Sequence, residues 1–176
     1  MPSFLKKLLG MAGGGEPGGD DSSTETVRRI AGELEAMPAD RARYVAAFAY
    51  VLSRVAHADL SISREETRKM EEIVRRVGRL PAEQAVLVVE IAKSQARLFG
   101  HTEDFLVTRE LHEVSTDEQR REVLDCLFAV SAADESISSA EETKIRQIAS
   151  ELGFAHAEYV AARAAWSDKR EILRGL

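Results

Sequence analysis

The sequence predicts an all-α fold, a single helical domain of about eight helices with an internal pseudo-two-fold repeat. Three observations carry this. Apolar residues recur at helical spacing in segment after segment, no segment sustains the alternation that a half-buried strand needs, and one helix–loop–helix stretch occurs twice. Residues 55–78 read VAHADLSISREETRKMEEIVRRVG and residues 130–153 read VSAADESISSAEETKIRQIASELG. Offset by 75 positions without a gap, they share ten identities in 24 positions. These are Val55/Val130, Ala58/Ala133, Asp59/Asp134, Ser61/Ser136, Ile62/Ile137, Ser63/Ser138, Glu66/Glu141, Lys69/Lys144, Ile73/Ile148 and Gly78/Gly153. A repeat of this kind means that one supersecondary unit is used twice.

Taken in order, residues 1–23 divide into an amphipathic start and a linker. Phe4, Leu5, Leu8 and Leu9 fall at helical spacing beside Lys6 and Lys7. That pattern fits either weak contact with a membrane surface through residues 1–11 or a loosely docked terminus. GGGEPGGDDSS follows as a Gly-rich, acidic linker. The helical domain is expected over residues 24–176. Thr24 opens a helix carrying Val27, Ile30, Ala31 and Leu34, ended by Pro38. Asp40 is expected to cap a second helix to about His57, with Val45, Phe48, Ala49, Leu52, Val55 and Ala56 as its apolar stripe. After the first loop, Ser63 and Glu66 form a capping box; Met70, Ile73, Val74 and Val77 mark the buried face up to Gly78.

Pro81 suits the first turn of a fourth helix with Ala85, Val88, Val89 and Ala92 inward, stopping at Gly100. A fifth helix is expected from Thr102. Ser115 with Glu118 reads as another capping box, opening a helix that carries Val123, Leu127 and Val130. The second loop, a Ser138/Glu141 box, and Ile145, Ile148, Leu152 and Gly153 then repeat the first half. A last helix is expected around Ala157–Trp166.

Composition excludes several classes of function. The 176 residues are enough for one domain with a core, and the formal net charge is −6. No long basic stripe occurs, so nucleic acid is not an expected partner. One cysteine, Cys126, permits neither an internal disulfide nor a CxxC metal knuckle, and its apolar neighbours predict burial. No apolar run approaches the ~20 residues of a membrane span, and no secretory signal is evident. The expected location is the cytoplasm, with peripheral contact at the inner face of the membrane.

Candidate chemistry centres on the two loops. Asp59, Ser61 and Ser63, like Asp134, Ser136 and Ser138, alternate as oxygen ligands do in a calcium loop. The match to an EF-hand fails, because its required Gly and Glu places hold Arg64 and Met70, or Ser139 and Ile145. Two readings stay open. In the first, Ser and Glu cap helices and nothing more. In the second, Asp59, Glu66, Asp134 and Glu141 converge, and four carboxylates then call for a divalent metal ion or a basic partner to offset their repulsion. Capping accounts for Ser63, Glu66, Ser138 and Glu141, but not for an Asp four residues upstream of each cap. His101, Glu103 and Asp104 are a weaker metal candidate, better explained as an acidic helix start. His57 has Ala132 as its counterpart and stands outside the repeated design; His112 and His156 read as surface residues. No nucleophile lies in a recognisable catalytic arrangement.

The repeated pattern is an apolar helix, Ala-Asp, a polar residue, Ile-Ser, then Glu seven past the Asp and a closing Val-Gly or Leu-Gly. It resembles the tellurite-resistance TerB family and the related helical domain of DjlA-type membrane co-chaperones. The resemblance covers residues 40–166 and both copies. Where the family has Gly after the Asp, this chain has Leu60 and Glu135. The resemblance implies an all-helical fold, an acidic surface for a metal ion or a protein partner, and a role in membrane-linked stress systems without catalysis. Carried over by position, its site residues are Asp59, Glu66, Asp134 and Glu141. The competing expectations are a structural interaction scaffold with no metal site and, more remotely, a hydrolase using paired carboxylates.

Overall fold

The computed structural model describes residues 21–56, 63–98, 104–133 and 136–169. Among them lie eight α-helices: α1 (Asp21–Glu35), α2 (Ala39–Val55), α3 (Arg64–Arg76), α4 (Ala82–Leu98), α5 (Asp104–Val114), α6 (Asp117–Ala132), α7 (Ser139–Glu151) and α8 (His156–Ala164). A short 3-10 turn at Ser167–Lys169 follows. The fold is all-α, as the periodicity predicts. No strand occurs among the described residues; Ile137 alone makes an isolated bridge.

The core is organised around α2. Every residue from Tyr44 to Leu52 is buried, so this stretch of the helix is apolar all round rather than along one stripe, the signature of a helix with neighbours on every side. It packs chiefly on α4 and α5, and also touches α1, α6 and α7. Helix α3 lies on α4 and α6, and α8 covers α6 and α7. Polar contacts at the periphery fix the order of the layers. Arg29 of α1 pairs with Glu90 of α4, Arg43 of α2 with Glu110 of α5, and Arg41 donates to Gln84 Oε1 of α4 at 2.8 Å.

Several boundaries differ from the sequence expectation, each for a local reason. Helix α1 begins at Asp21, three residues ahead of Thr24. Asp40 does not cap α2: Pro38 takes the N-cap position in an extended conformation, and Asp40 sits in the first turn, 3.1 Å from Arg43. Proline offers no side-chain acceptor, so the turn closes through its carbonyl, which accepts from Ala42 N at 3.0 Å. Pro81 likewise precedes α4 rather than lying within it, its carbonyl accepting from Ala85 N at 2.9 Å. The box of α6 is Thr116 with Gln119, not Ser115 with Glu118. Thr116 Oγ1 accepts from Gln119 N at 3.1 Å and Thr116 N donates to Gln119 Oε1 at 2.9 Å. Either hydroxyl of the Ser-Thr pair could cap; Ser115 is taken by α5, donating to the Leu111 carbonyl. The last helix runs over His156–Ala164. Residues 1–20, Thr102 and Gly100 lie outside the described residues.

The two motif helices are locally equivalent. Both α3 and α7 span 13 residues, both open with a Ser/Glu capping box, and Met70/Ile145 and Val74/Ala149 are buried in the same register. Their closing glycines serve different ends. Gly153 adopts φ +84°, the left-handed conformation of a helix stop. Gly78 has no such φ; it is buried, and a Cβ there would lie 2.5 Å from the Val74 carbonyl oxygen and 3.1 Å from the Phe48 ring. Gly78→Ala is therefore expected to overpack α3 against α2 and lose about 1–3 kcal/mol. Gly153→Ala meets no such contact and loses only the about 1–2 kcal/mol of left-handed strain. Urea midpoints of the two variants check this; equal stability of Gly78→Ala and the parent chain would refute the close approach.

Candidate functional site

The described half of the four-carboxylate set consists of Glu66 and Glu141. Each occupies the third position of its helix because a Ser stands three residues before it at the N-cap. Glu66 Oε2 accepts from Ser63 N at 2.6 Å while Ser63 Oγ accepts from Glu66 N at 3.1 Å. In the second copy Glu141 Oε2 accepts from Ser138 N at 2.8 Å and from the Ser138 hydroxyl at 2.7 Å; Ser138 Oγ in turn accepts from Glu141 N at 3.2 Å. The two differ in exposure: Glu66 is solvent-exposed and Glu141 half-buried. The Ser63 backbone N–H, then its hydroxyl, and last the Lys69 charge hold the Glu66 carboxyl below its ordinary value, against a small opposing effect of burial.

In both copies the cap engages Oε2. Oε1 of each glutamate makes no hydrogen bond among the described residues, so capping leaves half of each carboxylate available. Asp59 and Asp134 lie outside the described residues, as do His57, His101 and Glu103. Among the described residues no group of three or more His, Cys, Asp or Glu side chains is arranged to hold a metal ion. His112 and His156 are exposed. Cys126 is fully buried, and burial pushes its thiol up to about 12, the nearby Asp125 charge adding to the shift. A thiol so protonated is a core hydrophobe, not a nucleophile.

One constellation escapes the sequence reading altogether. Arg54, near the end of α2, has a side chain only 2% exposed. Its Nη1 donates to Glu151 Oε2 and to Thr108 Oγ1, each at 2.7 Å, joining α2 to α7 and α5. Gln147 Nε2 also donates to Glu151 Oε1 at 3.0 Å. A signal was present: a charged residue flanked by Val51, Leu52 and Val55, at the end of the buried run of α2, needs a buried partner. Arg54 is the penultimate residue of α2 and Glu151 the last of α7, so this pair joins the entry to the first copy of the motif to the end of the second.

The family of the chain follows from comparison. The family model described as Tellurite resistance protein TerB matches residues 44–164, more than half of the chain. The chain belongs to the TerB family. No curated protein and no solved structure matches it. The TerB match begins at Tyr44, where α2 enters the core, and ends at Ala164, the last residue of α8. It takes in both repeated motifs, the Arg54–Glu151 pair and the Ser63/Glu66 and Ser138/Glu141 boxes, and leaves α1 outside. No described helix is long and apolar enough to cross a membrane.

Proposed function

We infer that this TerB-family chain is a non-enzymatic binding module whose repeated acidic loops take a divalent cation, in a tellurite, metal or envelope stress response. The observation that supports the reading is the half-used carboxylate. Each cap occupies Oε2 of Glu66 or Glu141, while Oε1 and the Asp seven residues upstream are not required by the cap. Carboxylate oxygens are hard donors suited to calcium, magnesium or manganese. Asp59 and Asp134 would supply the remaining negative charge, and bound cation would offset the repulsion among the four. A protein partner with a basic face would meet the same charge, which makes it the second outcome of the same test.

Thermal unfolding of the full chain in calcium, manganese or zinc, against chelator, tests the reading. A cation at about 100 times its Kd stabilises by about 2.7 kcal/mol, which raises Tm by roughly 5–10 °C for a domain of this size. Asp59→Asn/Asp134→Asn is expected to abolish that rise while increasing metal-free stability by relieving repulsion. No rise with any of the ions, together with a plain loss of stability in the double variant, would leave a structural scaffold whose Asp residues brace their own loops.

A further inference from the structure

A groove of about 340 Å³ opens between α6 and α8. Its floor is apolar, formed by Leu124, Phe154, Ala161 and Ala162. Its rim carries Asp125 and Glu158, with Arg121 of α6 standing 3.7 Å from Glu158. No salt bridge to Asp125 forms among the described residues, and burial raises its carboxyl above the ordinary value. The groove therefore presents an apolar floor with the exposed Asp125 carboxylate at its rim.

We propose that this groove is the docking site of the chain's own N-terminal segment, residues 1–11, which lays Phe4, Leu5, Leu8 and Leu9 on the floor and brings Lys6 or Lys7 to Asp125. The segment carries the complementary pattern: four large apolar residues at helical spacing and two adjacent lysines. Two or three of its side chains fill a volume of this size. Residues 10–20 span up to about 36 Å when extended, comparable with the diameter of about 38 Å that a radius of gyration of about 15 Å gives a domain of this length.

Hydrogen–deuterium exchange on the full chain tests the docking, read on the peptide covering residues 1–12. Exchange there is expected to be slower than in a synthetic 1–12 peptide by about tenfold or more. The protection is expected to vanish in Leu8→Asp and in Ala161→Arg, whose new side chain fills the groove and repels the lysines from an exposed helix position. It is expected to weaken in Asp125→Asn and in high salt. Exchange equal to that of the free peptide would overturn the proposal, and so would protection that survives Ala161→Arg. Protection that rises with protein concentration would assign the groove to a second copy instead. Protection seen only with vesicles of anionic lipid would make the segment a membrane-surface helix and leave the groove without it. None of these readouts depends on a metal ion, so failure here leaves the cation reading standing, and the converse holds.

Discussion

Glu151→Ala is expected to destabilise the fold by about 3–5 kcal/mol, because it takes a hydrogen-bonded carboxylate away from the buried Arg54 guanidinium. The Arg54 side chain is 2% exposed and that of Glu151 13%, so water cannot take over the lost contact. Thr108 Oγ1 and Glu151 Oε2 each accept from Arg54 Nη1 at 2.7 Å, and of these two only the carboxylate carries a charge that offsets the guanidinium. Removing both charges is a different matter. Arg54→Met/Glu151→Leu is expected to recover most of the loss, since well-packed apolar replacements of a buried pair are often neutral. Urea unfolding of the two single variants and the double variant gives the coupling. A Glu151→Ala midpoint equal to that of the parent chain would show that the pair is solvated and contributes nothing.

The same pair sets an acid limit. Burial pushes the Glu151 carboxyl up, but hydrogen bonds from Arg54 and Thr108, the Arg54 charge and the Gln147 amide together hold it below its ordinary value of 4.5. A carboxyl whose folded-state value is depressed stabilises the fold above its unfolded value and loses that contribution as pH falls through the folded one. The contribution of Glu151 is therefore complete at neutral pH and fades below pH 4.5. Glu151→Gln is expected to start from lower stability and to lose less of it on acidification.

What was legible in the sequence is what is local in the structure. A Ser three residues ahead of a Glu specifies a capping box within one turn, so Ser63/Glu66 and Ser138/Glu141 could be read directly. The buried register of α3 and α7 follows from their apolar spacing for the same reason. Gly78 and Gly153 align in the repeat yet do different work, because the need at Gly78 comes from Phe48, thirty positions earlier in the chain. The Arg54–Glu151 pair joins residues 97 apart, and no periodicity encodes such a meeting. Ser115 and Thr116 show the finer limit: two adjacent hydroxyls satisfy the same rule, and the competing demand of the Leu111 carbonyl decides between them. Whether Asp59 and Asp134 approach each other is likewise a question of long-range packing. The site reading therefore rests on local caps and on the family, and the metal titration is its decisive test.

Ile137→Ala is expected to cost about 2–5 kcal/mol, the range for truncating a buried aliphatic side chain where the surroundings collapse only in part. Ile137 is 1% exposed and belongs to the main core, although it stands in the short link between α6 and α7. Its neighbours Ser136 and Ser138 are only half-buried, so one side chain ties this loop to the interior while the residues around it face outward. The loss should come mostly from the missing methyl groups, and Ile137→Val should then cost only about 0.5–1.5 kcal/mol. The repeat extends the expectation to Ile62, which aligns with Ile137 and lies outside the described residues. If the ten shared positions reflect shared packing, Ile62→Ala destabilises by a similar amount, and the double variant reads whether the two side chains share partners, since only sites without common partners give losses that add. A near-neutral Ile62→Ala beside a costly Ile137→Ala would mean that the copies share helix caps but not loop anchoring. Losses that fall well short of additive would place the two isoleucines against each other, and so bring the two acidic loops onto one face.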